Sequence, residues 1–141
     1  MASVNPYLIF NDNCEEAFRF YHGVFGGPEL EFRRFKEMPK DHCGAGEENK
    51  VMHVFYPLKD GTALMGSDRP AQSGTTTVGD NFSVCIFTES REEADRIFQG
   101  LSVSGKVEMP MGETFWGAYY GMFVDKFGVN WMVHYYLPPK Q

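Results

Sequence analysis

A chain of 141 residues, 43% of them hydrophobic, is long enough for one compact unit that buries roughly two-thirds of its unfolded surface. The formal charge of -6 and the lack of a basic stripe argue against nucleic acid as a partner, and no apolar run approaches membrane-spanning length. Three cysteines (Cys14, Cys43 and Cys85) without paired metal spacing, behind an N-terminus with no apolar signal core, give a cytoplasmic, reducing location as the expectation.

The first predicted element is a strand, Tyr7 to Phe10, closed by the turn-prone Asn11-Asp12-Asn13. A helix follows. Asn13 is its expected N-cap with Glu16 completing the box; Ala17, Phe20, Tyr21 and Val24 form its apolar stripe, and Gly26-Gly27 ends it. Glu29 to Phe35 alternates as a half-exposed strand. The segment from Lys36 to Lys50 reads as an inserted loop. Val51 to Tyr56 and Thr62 to Ser67 form a hairpin about Lys59-Asp60-Gly61, and 69–80 is a connector without periodicity.

In the second half, a strand over Val84 to Phe87 leads to a helix capped by Ser90 and Glu93, with Ala94, Ile97, Phe98 and Leu101 as its stripe. Lys106 to Met109 is predicted as a strand and Pro110 to Gly117 as a loop carrying Phe115 and Trp116. Tyr119 to Val124 and Gly128 to Tyr136 form a second hairpin. The second stripe lies 77 residues after the first, as Ile86-Phe87 does after Ile9-Phe10, while Gly128 to Met132 lies 67 after Gly61 to Met65. We therefore expect two copies of one strand-helix-strand-strand-strand module, the first with a longer loop.

The segments NCEEAFRFYHGVFGG (13–27) and FVDKFGVNWMV (123–133), together with the doubled unit, resemble the vicinal oxygen chelate superfamily of glyoxalases, bleomycin-resistance proteins and extradiol dioxygenases. Asn5-Pro6-Tyr7, Met52-His53, Leu64 to Asp68 and Trp116-Gly117 resemble its 3-demethylubiquinone methyltransferase-like subgroup. The resemblance implies an α+β fold in a single domain, with two βαβββ modules (1–68 and 81–136, followed by a tail at 137–141) forming a curved, cupped mixed sheet with helices on its outer face. It also implies a homodimer. The methyltransferase name has no counterpart in a glycine-rich nucleotide loop after a strand.

In the superfamily's enzymes a divalent metal is held by residues of each module's first and last strands. Those positions fall here at Pro6, Ser83, Met65 and Met132, none a hard-metal ligand, and a one-residue slip brings in no His or carboxylate. We therefore expect no metal and no cofactor. If Met65 and Met132 face the cup, alternation turns Ala63, Ser67, Cys85, Asn130 and His134 inward too. The expected ligand-binding set is His53, Met65, Ser67, Asp68, Cys85, Trp116, Tyr119, Met132 and His134, a lining suited to a small organic ligand; Trp116, Phe115 and Tyr119 would close its mouth. His22 and His42 are expected to be solvated. Three readings stay open: a metal-free small-molecule-binding protein, a glyoxalase-type lyase/isomerase or dioxygenase with a displaced metal on His53, Asp68 and His134, and a purely structural dimer. Whether the chain is an enzyme is undecided by sequence.

Overall fold

The computed structural model describes residues 2–39 and 44–139, so that His42 and Cys43 lie outside the described residues. The chain divides into two compact units, Met1–Thr77 and Val78–Gln141. Each holds one α-helix and one four-stranded mixed sheet, an α+β arrangement with two separate sheets.

In the first unit, β1 (Tyr7–Phe10) is followed by α1 (Cys14–Phe25), β2 (Phe32–Arg34), β3 (Val51–Pro57) and β4 (Ala63–Asp68). The strand order is β1-β4-β3-β2, with β1 parallel to β4 and the other pairs antiparallel. The helix buries Cys14, Ala17, Phe18 and Tyr21, while Phe20 and Val24 of the expected stripe are only half-buried. Against them the sheet supplies Leu8, Phe10, Val54, Tyr56 and Leu64, each worth about 1.5–3 kcal/mol on burial. β2 is shorter than the alternation suggests, because Phe35–Glu37 turns into a short 3-10 helix in which the Glu37 carboxylate accepts the Arg34 N–H at 2.6 Å. The start of the expected connector belongs to this unit: Asn11 bonds Thr76 twice, through its Oδ1 at 2.7 Å and its Nδ2 at 3.0 Å.

In the second unit, β5 (Val84–Phe87) precedes α2 (Arg91–Ser102), β6 (Lys106–Glu113), β7 (Ala118–Val124) and β8 (Asn130–Tyr136), in the order β5-β8-β7-β6. Ser90 caps α2 as expected, its Oγ accepting the Glu93 N–H at 3.1 Å, while Glu93 returns to the N–H of Glu89 at 3.0 Å. β6 runs through Pro110 and Gly112, where a loop is expected from the sequence. It is an edge strand with two register irregularities, the setting in which a strand tolerates proline.

The hairpins keep the 67-residue offset: Val54 pairs with Gly66, and Gly121 with Val133. Each pair makes a slot on the helix side. A Cβ at Gly66 would lie 2.5 Å from Phe18 Cε1, and one at Gly121 would lie 2.8 Å from Phe98 Cε2. The first strands do not keep the 77-residue offset. Tyr7 pairs with Met65 whereas Cys85 pairs with Met132, so the structural mate of Tyr7 is Cys85 and that of Ile9 is Phe87. Burial agrees, since Leu8 and Phe10 match Ile86 and Thr88, while Cys85 and Phe87 are exposed. The strand match is thus corrected by one residue: Cys85 keeps its expected place beside Met132, but its mate in β1 is Tyr7 and not Leu8.

Candidate functional site

In the first unit, pairing places Tyr7, Phe55, Met65 and Ser67 on the sheet face away from α1. His53 joins them. Its Nδ1 lies 3.1 Å from the Tyr7 hydroxyl, and the two rings stack with centroids 5.7 Å apart. Three of the expected residues (His53, Met65 and Ser67) therefore share one half-buried face.

Asp68 is on the other face. It is 3% exposed, and its two oxygens accept the N–H of Cys14 and the N–H of Val51, each at 3.0 Å. Cys14 is the first residue of α1, so Asp68 does from β4 what the expected cap Asn13 does not, because Asn13 makes no side-chain cap bond. Burial raises the Asp68 carboxyl above its ordinary value against the lowering effect of those two bonds. No local pattern signals this remote cap, since Asp68 and Cys14 lie 54 residues apart. His22, expected to be solvated, instead has its Nε2 at 3.1 and 3.0 Å from the carbonyl oxygens of Gly27 and Pro28, at the end of α1.

In the second unit, the face away from α2 carries Cys85, Met132 and His134 of the expected set. The register adds three residues not singled out by sequence: Phe87 and Tyr120 flank His134 across the strands, and Met122 flanks Met132. His134 is 8% exposed, with ring centroids of Tyr136, Phe87 and Tyr120 at 4.4, 4.9 and 6.0 Å. Its Nδ1 is buried and has no hydrogen-bond partner among the described residues. Burial pushes the Cys85 thiol and the Tyr120 phenol above their ordinary values.

Tyr119 points the other way. Its hydroxyl donates to Asp95 of α2 at 2.6 Å, and the Arg91 guanidinium sits 4.2 Å from its ring centroid. The aromatic beside Trp116 is instead Tyr120, with ring centroids 5.9 Å apart, and Phe115 packs edge-on to Trp116 at 5.1 Å. The expected trio was therefore one residue out of phase along β7: Tyr119 faces the helix and Tyr120 faces away from it.

Among the described residues, no group of three or more His, Cys, Asp or Glu side chains is placed to hold a metal ion. No helix among them is long and apolar enough to cross a membrane. The second face is a soft, aromatic surface with one buried imidazole nitrogen that has no hydrogen-bond partner among the described residues.

A helix laid on a four-stranded mixed sheet, twice over, is the architecture of glyoxalase/bleomycin-resistance proteins. One such protein, from Albidiferax ferrireducens T118, matches 98% of this chain and 100% of its own at a TM-score of 0.66, with 15% sequence identity. A profile of the 3-demethylubiquinone-9 3-methyltransferase family matches residues 2–134, and the chain belongs to that family. It is 39% identical to protein PA1353 from Pseudomonas aeruginosa, whose crystal structure matches 98% of this chain and 100% of its own at a TM-score of 0.85. It is also 30% identical to protein YjdN of Escherichia coli (strain K12) over 93% of each chain.

Proposed function

We propose that this chain is a small-molecule-binding protein, and that the face of β5-β8-β7-β6 away from α2 receives a small organic ligand, with His134 supplying the orienting hydrogen bond. The observation that carries this reading is the unpartnered Nδ1 of His134. A buried polar atom without a partner costs about 1–3 kcal/mol, and in either tautomer a polar group on a bound molecule would remove that cost. The surrounding Phe87, Tyr120 and Tyr136 rings favour a planar, apolar body for the ligand.

The family's name speaks of methyl transfer, but β1 enters α1 through Asn11-Asp12-Asn13 and β5 enters α2 through Thr88-Glu89-Ser90. Neither is a glycine-rich turn of the kind that cradles a nucleotide phosphate. The reading extends to a cytoplasmic homodimer. Cys14 and Cys85 are both free thiols, in keeping with a reducing compartment. In the first unit, the exposed Ile9 and Phe55 favour a covered rather than a bare surface.

The test is thermal unfolding against a panel of planar aromatic acids, phenols and quinones, on the wild type and on His134→Phe. A ligand at a hundredfold excess over its Kd adds about 2.7 kcal/mol of stability. The wild type is expected to shift with at least one compound. His134→Phe, which removes the orphan nitrogen while filling the same space, is expected to be more stable without ligand and to lose the shift. No shift in the wild type, or an equal shift in the variant, overturns the proposal. A shift abolished by a chelator would move the protein to the metal-dependent alternative.

A further inference from the structure

The same sheet face carries a feature that an organic ligand does not require. Cys85 on β5 pairs with Met132 on β8, Met132 pairs with Met122 on β7, and Met122 pairs with Met109 on β6. Three sulfur side chains, those of Cys85, Met132 and Met122, thus stand in one row across β5, β8 and β7, while Met109 lies between the two register irregularities of β6. Directly paired residues have Cβ atoms about 4.5–5.5 Å apart, and the three rotatable bonds of methionine let its sulfur swing toward a neighbour. Cys85 is exposed and Met132 and Met122 are half-buried, so the row is reachable from solvent and backed by apolar surface.

We propose that Cys85, Met132 and Met122 form a binding site for a soft monovalent metal ion, Cu(I) or Ag(I). One thiol and two thioethers are a donor set that selects soft ions and offers nothing to Mg(II) or Mn(II). His134 lies two residues beyond Met132 on the same face and is placed to serve as a fourth donor. Binding exchanges the Cys85 S–H bond for a sulfur–metal bond and releases that proton to solvent, with no change of oxidation state. One proton leaves per ion bound, because the thiolate is the ligand. The site shares its sheet face and His134 with the organic-ligand reading but rests on Cys85, Met132 and Met122, and would survive the failure of that reading.

The test is an anaerobic titration with Ag(I), and with Cu(I) in competition with a chromophoric Cu(I) chelator, in a Cys43→Ser background that removes one other thiol. Cys14 is fully buried and is left in place. One ion per chain and one proton released are expected. Cys85→Ser should abolish binding. Met132→Leu and Met122→Leu keep side-chain volume and should each weaken binding by roughly 10–100-fold, at least what loss of an outer-shell partner costs a metal site. Met111→Leu, on the opposite face of the same sheet against Phe98, should bind like the parent. Absence of a bound ion overturns the proposal. So does binding that is indifferent to Met132→Leu and Met122→Leu, which would reduce the site to a lone thiol.

Discussion

Replacing Asp68 tests whether a carboxylate in the last strand of the first unit holds the start of that unit's helix. Its oxygens accept two N–H groups at 3.0 Å, one from Cys14 and one from Val51, in a setting only 3% exposed. Asp68→Ala orphans both donors, at about 1–3 kcal/mol each, and removes a negative charge from the positive end of the α1 dipole, worth about 0.3–1 kcal/mol. Relief of the carboxylate's desolvation, the cause of its raised pKa, works in the opposite direction. The net expectation is a loss of about 2–4 kcal/mol. Asp68→Asn keeps one acceptor but sets an amide N–H₂ against the other donor, so it should cost about 1–3 kcal/mol. At about 4 °C per kcal/mol for a chain of this size, the alanine variant should melt roughly 8–16 °C below wild type and the asparagine variant between the two. Urea unfolding followed by circular dichroism gives both free energies directly. If both variants fall within about 0.5 kcal/mol of wild type, the size of an ordinary surface substitution, the remote-cap argument is wrong.

Two further predictions rest on other parts of the same unit. Gly66→Ala places a Cβ 2.5 Å from Phe18 Cε1 and 2.9 Å from the Leu8 carbonyl oxygen, so it should destabilise by about 1–3 kcal/mol. Gly23→Ala, in α1 with nothing within 4 Å, should stabilise by about 0.5–1 kcal/mol; equal signs for the two in thermal unfolding would contradict the packing account. Glu15 is held down to about 2 from an ordinary 4.5, first by its hydrogen bond from Arg34 and then by that from Arg19. A depressed carboxyl stabilises the fold above its unfolded pKa and loses that contribution as pH falls through the folded value. Glu15→Gln should therefore cost under about 1 kcal/mol at neutral pH, given the partial exposure of the pair, and match wild type near pH 2. A gap that stays constant from neutral pH down to pH 2 would show that the ion pairs are not its source.

Among the described residues, both α-helices, the eight strands and the doubling were legible because each rests on a period that the sequence carries locally. The apolar stripe of α2 and the Ser90 cap are read from residues three or four apart, and the structure repeats them. The remote cap was not legible. Asp68 and Cys14 are separated by 54 residues, and Asn13 satisfies every local rule for an N-cap without serving as one. A side chain arriving from another strand can outcompete a local one, because the buried carboxylate answers two N–H groups and Asn13 could answer only one.

The candidate site turned on a subtler matter, the counting of single residues along strands. Periodicity says that a strand has two faces, but only pairing says which residue is on which, and a slip of one exchanges them all. Applied to the first strands, the 77-residue offset makes Cys85 the mate of Leu8, a core residue. The register makes it the mate of Tyr7 and sets it beside Met132. Applied to β7, the same uncertainty of one residue separates Tyr119, held against α2 by Asp95 and Arg91, from Tyr120, which stands edge-on to His134. The chemistry assigned to the face follows from that count. With Tyr119 and without Met122 it is a loose apolar lining; with Tyr120 against the imidazole and Met122 beside Met132 it becomes an aromatic surround for one unpartnered nitrogen and an unbroken line of sulfur.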